Sequence, residues 1–176
     1  MLIRTLTPSD HLAVEHLLTV AFAKPVGDEA GEQATPIEVG LNTALLASDA
    51  YLAPFAIVAE IDGVLVGYCI STRGWVDDEP ALGLGPIGVL PELQGRGIGS
   101  ALVRETARIA DQNGEGLIAL LGEPDYYGRF GFVPSTSVGI APPEPAWGDY
   151  FQALRLADAT DAHRGAFRYA SPFDDV

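Results

Sequence analysis

Hydrophobic and polar positions change period several times along the chain, and each change marks an element. "MLIRTLTP" alternates Leu2, Arg4 and Leu6 against Ile3, Thr5 and Thr7, which predicts a short strand that Pro8 ends. Ser9 or Asp10 then offers a side-chain oxygen to cap a helix. In "DHLAVEHLLTVAF", Leu12, Val14, Leu17, Leu18 and Ala21 recur at helical spacing. Residues 23–36, "AKPVGDEAGEQATP", are polar with interspersed Gly and Pro and read as a mobile loop. "TPIEVGLNTALLAS" predicts a second helix with Pro36 near its first turn.

From Phe55 the period shortens. "FAIVAEIDGVLVGYCIST" is two apolar runs around Asp62-Gly63, a strong hairpin signal because both turn positions can require positive φ. "GWVDDEPA" reads as a turn and "LGLGPIGVL" as a glycine-rich strand. A helix of about four turns follows and ends at Asn113-Gly114, a C-cap pair. "GLIALLG" predicts a short buried strand, and "EPDYYGRFGFVPS" a compact aromatic segment. "YFQALRL" and "GAFRYASPF" predict two last extended pieces. The order is β-α-α-β-β-β-α-β-α-β-β. One crossover spans residues 84 to 121 and places its two strands parallel, so the sheet is expected to be mixed with helices on its faces.

Composition narrows the function classes. The 176 residues suit one domain, residues 1–176, and 48% hydrophobic content is enough for a core. With 24 acidic and 10 basic residues the net charge is −14, which argues against a nucleic-acid partner and mildly favours cationic or neutral small substrates. Lys24 is the only lysine among the basic residues. No apolar run is long enough to cross a membrane, and "MLIRTLTPSDHLAVEHLL" lacks the layout of a signal peptide, so a cytoplasmic protein without a membrane partner is expected. Cys69 is the only cysteine and sits in an apolar strand, where a buried, inert thiol is expected. His11, His16 and His163 are scattered and read as surface or capping residues, and no cluster has metal-ligand spacing.

Candidate chemistry concentrates in "VLPELQGRGIGSALVRE", residues 89–105. Alternating glycines let several backbone N–H groups converge, and the helix that follows adds its own unpaired N–H groups and partial positive charge. Such a loop holds a phosphate, or else is a tight turn that only permits packing. A nearby decoy, Gly83-Leu84-Gly85-Pro86-Ile87-Gly88, spells a dinucleotide fingerprint, but an acidic turn precedes it, Pro86 interrupts it and no helix opens inside it. A nucleoside-triphosphate loop fails as well, since no Gly-Lys-Ser/Thr follows the glycines.

Gln94-Gly95-Arg96-Gly97-Ile98-Gly99 resembles the acyl-CoA-binding motif of the GCN5-related N-acetyltransferase (GNAT) superfamily, Gln/Arg-x-x-Gly-x-Gly/Ala, in which Gln94, Gly97 and Gly99 fill the fixed positions. Tyr126-Tyr127-Gly128-Arg129-Phe130-Gly131-Phe132 is similar to a second feature of that family. The resemblance covers roughly residues 2–134. It implies an α/β (α+β) fold with a mixed, mostly antiparallel sheet flanked by helices and a splayed parallel pair at its centre. The motif region then spans 55–134, with C-terminal strands in 135–176. It also implies acetyl-CoA as cosubstrate and no metal. The pantetheine arm pairs with the end of the fourth strand, Ile87, Gly88 and Val89, and the pyrophosphate lies on Gln94, Gly95, Arg96, Gly97, Ile98, Gly99 and Ser100.

By the same resemblance Tyr127 is the catalytic general acid, and the backbone N–H of Val89 or its neighbour is the oxyanion donor. A phenol with pKa near ~10 stays protonated at neutral pH and can donate to sulfur. Arg96 adds charge near the phosphates, while Arg104 lies two turns into the helix and reads as surface. The general base is left open among Glu60, Asp77, Asp78 and Glu79, and an acidic acceptor mouth at Asp77–Glu79 would suit a cation. Selectivity is expected from residues 23–36, the second helix and "GWVDDEPA". The expected function is acetyl transfer from acetyl-CoA to an amine acceptor in a ternary complex. The alternative is a non-catalytic acyl-CoA-binding sensor or partner module on the same fold. The tail after Pro134, with Trp147 and "YFQALRL", either completes the acceptor pocket or exchanges strands in a homodimer.

Overall fold

The computed structural model describes residues 1–23 and 35–175. Most of the loop expected between the first two helices, residues 24–34, lies outside the described residues. In chain order the elements are β1 (Leu2–Thr5), α1 (His11–Ala21), α2 (Ile37–Ala47), β2 (Ala56–Ile61), β3 (Val64–Val76), β4 (Glu79–Val89), α3 (Ile98–Gln112), β5 (Leu117–Leu121), α4 (Pro124–Tyr127), β6 (Val133–Pro134), β7 (Ile140–Ala141), β8 (Phe151–Arg155) and β9 (Gly165–Arg168). The order read from the sequence holds. The additions β6 and β7 are two residues each, too short to show a period.

The sheet runs β1-β2-β3-β4-β5-β8-β6, with β9 paired to the far end of β3. Along that path only β4 and β5 are parallel. This is the mixed, mostly antiparallel sheet with a parallel central pair. The hairpin between β2 and β3 turns on Asp62 and Gly63, both at positive φ (51° and 79°), as its sequence required. The second turn is tighter than "GWVDDEPA" suggested. β3 runs to Val76 and β4 starts at Glu79, leaving only Asp77 (φ 49°) and Asp78 between them. Here β9 pairs with Trp75 and Val76 and gives this end of β3 a second neighbour.

Helices cover both faces. Val14, Leu17 and Leu18 of α1 and Val39, Leu41 and Leu45 of α2 pack on Ala56, Val58, Tyr68 and Ile70. On the other face Ile98, Leu102, Val103 and Ala110 of α3 pack on Ile57, Ala59, Val66 and Cys69. Strict alternation would put Val66 on the face of Tyr68. A register shift, in which Ala59 pairs Gly67 but Glu60 pairs Leu65, leaves Val66 as an extra residue and turns it toward α3. A buried hydrogen bond from the Tyr68 hydroxyl to Asn42 Oδ1 (2.7 Å) ties α2 to the sheet.

Two polar positions differ from their sequence reading. Asp10 does not cap α1. Its carboxylate turns back to accept from the Thr7 backbone N–H (2.8 Å), from Thr7 Oγ1 (2.7 Å) and from both terminal nitrogens of Arg4 (2.7 and 2.9 Å). The nearby guanidinium competes successfully with the helix end for the carboxylate. His163 is buried rather than on the surface. Its Nδ1 accepts from the Thr160 N–H, which puts the ring proton on Nε2, 3.2 Å from the carbonyl of Pro80.

Candidate active site

The site starts where β4 and β5 part. Their pairing covers Leu82–Ile118 and Gly83–Ala119 and then stops. Opposite the single residue Ile70, β4 carries both Gly85 and Pro86, a bulge that bends the strand away. Pro86 has no N–H to give a neighbour, and the ring of Tyr169 stands against Gly83 where a Cβ would collide with it. Beyond the bulge β4 still pairs with β3. The Leu90 N–H donates to the Val66 carbonyl (3.0 Å), so in the antiparallel ladder Gly88 also points its backbone groups at β3. Ile87 and Val89 therefore turn theirs the other way, into the gap that β5 has left.

The glycine loop closes one end of that gap. Gly95 (φ 74°) and Gly97 (φ 85°) take left-handed conformations that favour glycine, with open space where their side chains would be. The first helical bond of α3 runs from the Ala101 N–H to the Gly97 carbonyl. Among the described residues, the backbone N–H groups from Gly95 to Ser100 have no protein partner. They form a row of free donors at the positive end of a helix of 15 residues. The side-chain amide of Gln94 donates to the Val89 carbonyl at 3.1 Å, joining loop to strand. Ile98 contributes only its N–H, since its side chain is buried against the sheet. Arg96 is exposed and lines neither of the two clefts at this site.

The loop, the strand end and the aromatic segment enclose a cleft of about 460 Å³, lined by Ile87, Gly88, Val89, Gln94, Gly95, Gly97, Gly99, Ser100, Tyr126, Tyr127 and Arg129 among others. Nearly every cofactor position read from the sequence is brought together here. Two residues that the sequence reading did not assign to the cofactor line it as well. Tyr126 places its hydroxyl against Gly99, where a Cβ would come within 2.8 Å of it. Arg129 lays its guanidinium over the Tyr126 ring (4.4 Å) and donates from Nε to the Tyr126 carbonyl (3.0 Å). Their three-residue spacing on a helical turn was the available signal.

Tyr127 is half-buried, packed on Gly122 and edge-on to Tyr126 (4.9 Å) and Phe132 (5.9 Å). Burial raises its phenol above the ordinary tyrosine range, so it is protonated at neutral pH. It also lines a second, larger cleft of about 1610 Å³ on the other side of the splay. Ile87 and Tyr127 are the residues common to both clefts. Glu38 and Leu41 of α2, Trp75, Trp147 and Phe173 also line the larger one, so α2 and the C-terminal tail both build it.

The other candidates lie outside the two clefts. Glu60 accepts from Arg4 at 3.0 and 3.1 Å and borders neither cleft. Asp77 accepts from the Ala166 N–H (2.9 Å), and its carbonyl accepts from Arg168 (2.8 Å), clipping β9 to the turn. Asp78 and Glu79 line neither cleft, so the expected acidic mouth at residues 77–79 is not where the larger cleft opens. Arg104 lies over the Phe130 ring at 5.0 Å. Cys69 is fully buried, its thiol pushed up to about 12 by burial, and it accepts from Thr106 Oγ1 at 3.7 Å.

A parallel pair that parts beside a row of free N–H donors, with a half-buried tyrosine at the parting, is the arrangement expected of an acyltransferase that takes an acyl-CoA. Comparison with known proteins agrees. The model of the acetyltransferase (GNAT) family matches residues 13–132, and the chain belongs to that family. It is 26% identical to the uncharacterized N-acetyltransferase YhbS of Escherichia coli K12 over 99% of each chain. It is 32% identical to the uncharacterized N-acetyltransferase YjhQ of the same organism, matching 55% of this chain and spanning 56% of YjhQ. The crystal structure of E. coli YhbS in complex with CoA superposes with a TM-score of 0.83 at 27% identity, covering 98% of this chain and 91% of that one. A GNAT family acetyltransferase from Brucella melitensis in complex with acetyl-CoA gives 0.75 at 30% identity, covering 98% and 97%.

Proposed function

We propose that this protein is an N-acetyltransferase that moves acetyl from acetyl-CoA to an amine by direct transfer in a ternary complex. The observation that carries the reading is the sharing of Ile87 and Tyr127 between two clefts. The smaller cleft suits the donor. Its free N–H row from Gly95 to Ser100 fits a pyrophosphate, and the outward backbone groups of Ile87 and Val89 fit the amides of a pantetheine arm. The larger cleft is left for the acceptor, and the thioester would lie where they meet. Solved GNAT relatives bound to CoA and to acetyl-CoA support the choice of donor. A cytoplasmic location goes with that donor.

In this reading the neutral amine nitrogen attacks the thioester carbonyl carbon and forms the C–N bond. The oxygen gathers negative charge and accepts from the Val89 N–H. The C–S bond then breaks, the electron pair leaves with sulfur, and the Tyr127 phenol supplies the proton that yields free CoA thiol. The nitrogen sheds one proton as the amide forms, and that proton, relayed through water or a carboxylate of the larger cleft, restores the Tyr127 phenol. Direct transfer is favoured over an acyl-enzyme because the only cysteine, Cys69, is fully buried and its thiol is held protonated.

The test is thiol release from acetyl-CoA across a panel of amines, with mass spectrometry of the product and initial rates at varied concentrations of both substrates. Intersecting double-reciprocal lines and an acetylated amine are expected. Parallel lines with an acetylated protein would replace direct transfer by a two-step path. CoA binding with no amine acetylated would favour the sensor.

A further inference from the structure

The geometry of the larger cleft points to a specific acceptor class: a cationic primary amine carried on an aromatic or similarly flat apolar body. This rests on the transferase reading above and names its second substrate.

The first observation is a continuous aromatic wall. Phe151 and Phe167 are buried in the core, 5.4 Å apart between centroids. Tyr169 packs on both, at 6.0 and 4.9 Å, and passes the contact outward to Phe173 at 4.4 Å and Trp147 at 6.5 Å. Trp147 also packs on Phe151 at 5.8 Å. Trp147, Tyr169 and Phe173 all line the cleft. Rings braced from the core present fixed faces, so stacking a planar ligand there costs little ordering. The wall also ends at the right place, since Tyr169 stands against Gly83 at the last paired position before β4 and β5 part.

The second observation is charge. Glu38, Asp49, Glu144 and Asp174 line the same cleft, and none forms an ion pair among the described residues. Of the two arginines on it, Arg73 is already neutralised by Glu115 through two bonds of 2.7 Å. Arg168 gives a bond to the Asp77 carbonyl. The balance attracts a cation and repels an acidic acceptor.

The third observation is a stretch of wall without backbone donors for a peptide. Pro86, Pro142 and Pro143 line the cleft and have no backbone N–H. A peptide backbone could not pair with that stretch of the wall, a carboxylate would face the unpaired acids, and a polyamine would leave the aromatic wall without an apolar partner. One positive end and one flat apolar end match what the cleft offers.

The test uses the whole chain with acetyl-CoA and 2-phenylethylamine, spermidine, glutamate or a short peptide with a free N-terminus. We expect kcat/KM for 2-phenylethylamine to exceed each of the others by about tenfold or more. Trp147→Ala should raise KM for that amine roughly tenfold with acetyl-CoA affinity unchanged. Asp174→Asn, at an exposed position, should raise the same KM about threefold and guards against misfolding of the tryptophan variant. Equal or better use of spermidine, glutamate or the peptide overturns the class while leaving acetyl transfer standing. Calorimetry with the CoA-loaded protein separates the two readings. Binding of 2-phenylethylamine with no amine of the panel acetylated keeps the ligand class and removes the transferase reading, and no binding with no amine acetylated removes both.

Discussion

Gln94 and Val89 are joined by a 3.1 Å hydrogen bond from side-chain amide to backbone carbonyl, five residues apart in sequence. The bond fixes the row of free N–H donors relative to the strand end that faces the splay. Gln94→Ala should free the loop and raise the Kd for acetyl-CoA by about five- to tenfold, the effect of one lost hydrogen bond. Turnover at saturating donor should hardly change, since the bond does not touch reacting atoms. Gln94→Glu should be worse, because a carboxylate cannot donate to Val89 and repels phosphates. An unchanged Kd in the alanine variant, measured by calorimetry, would remove this role.

Tyr127 is the residue on which the chemistry turns in the proposed mechanism. Tyr127→Phe keeps the ring packed on Gly122 and Phe132 and removes only the hydroxyl. It should lower kcat by about tenfold or more with little change in acetyl-CoA affinity. Tyr126→Phe should do the reverse, since its hydroxyl lies against Gly99 in the donor cleft. Swapped outcomes would exchange the roles of the two tyrosines.

The buried Cys69 thiol gives a prediction about reactivity. Burial pushes it up to about 12, and no shift of pH within the stable range turns it into a thiolate. The native protein should therefore not react with a disulfide reagent at pH 8, and one thiol per chain should appear on denaturation. Fast labelling of the native protein would contradict the burial. The sign for stability follows. The folded thiol holds its proton between its unfolded value, near ~8.5, and about 12, so its contribution is full below that window and is lost as pH rises through it.

Much of this arrangement was legible in the sequence because the signals are local. Asp62-Gly63 sets its own turn, and Gly95 and Gly97 announce their positive φ by being glycine beside a helix start. The donor loop, its strand and its helix lie within one crossover. What stayed hidden depends on distant partners. Asp77 reads as a free carboxylate until Ala166, 89 residues away, is seen to donate to it. The second helix and the tail with Trp147 could be named as parts of an acceptor pocket, but nothing local shows that Glu38 and Trp147 line the same cleft. That cleft exists only because β8 pairs with β5 and β9 with β3, contacts no period encodes.

Arg129 gives the proposed donor cleft a fixed cation that the glycine loop lacks. Its guanidinium is held flat by Tyr126 (4.4 Å) and Phe130 (5.4 Å) and by the bond from Nε to the Tyr126 carbonyl. Arg129→Ala should weaken acetyl-CoA binding by about fivefold and flatten its dependence on salt. Arg129→Lys should not restore the affinity, because an ammonium neither stacks as a plane nor keeps the Nε bond. Full restoration by lysine would reduce the residue to a point charge.

Asp10 makes the fold sensitive to acid through Arg4. The guanidinium beside it, helped by the two Thr7 donors, holds its carboxyl well below the usual carboxylate range. In the unfolded chain the same group titrates near ~3.9. As pH falls through that value the unfolded state takes up a proton that the folded state refuses, so the stabilisation is full above about pH 5 and shrinks below it. Asp10→Asn should cost about 2 kcal/mol at pH 7, or a melting temperature lower by roughly 4–8 °C. The gap between the two proteins should narrow by roughly 1 kcal/mol for each unit below about pH 4. Thermal melts at pH 7 and pH 3 measure it. A gap of the same size at both would mean that Asp10 acts by shape alone and that its charge contributes nothing.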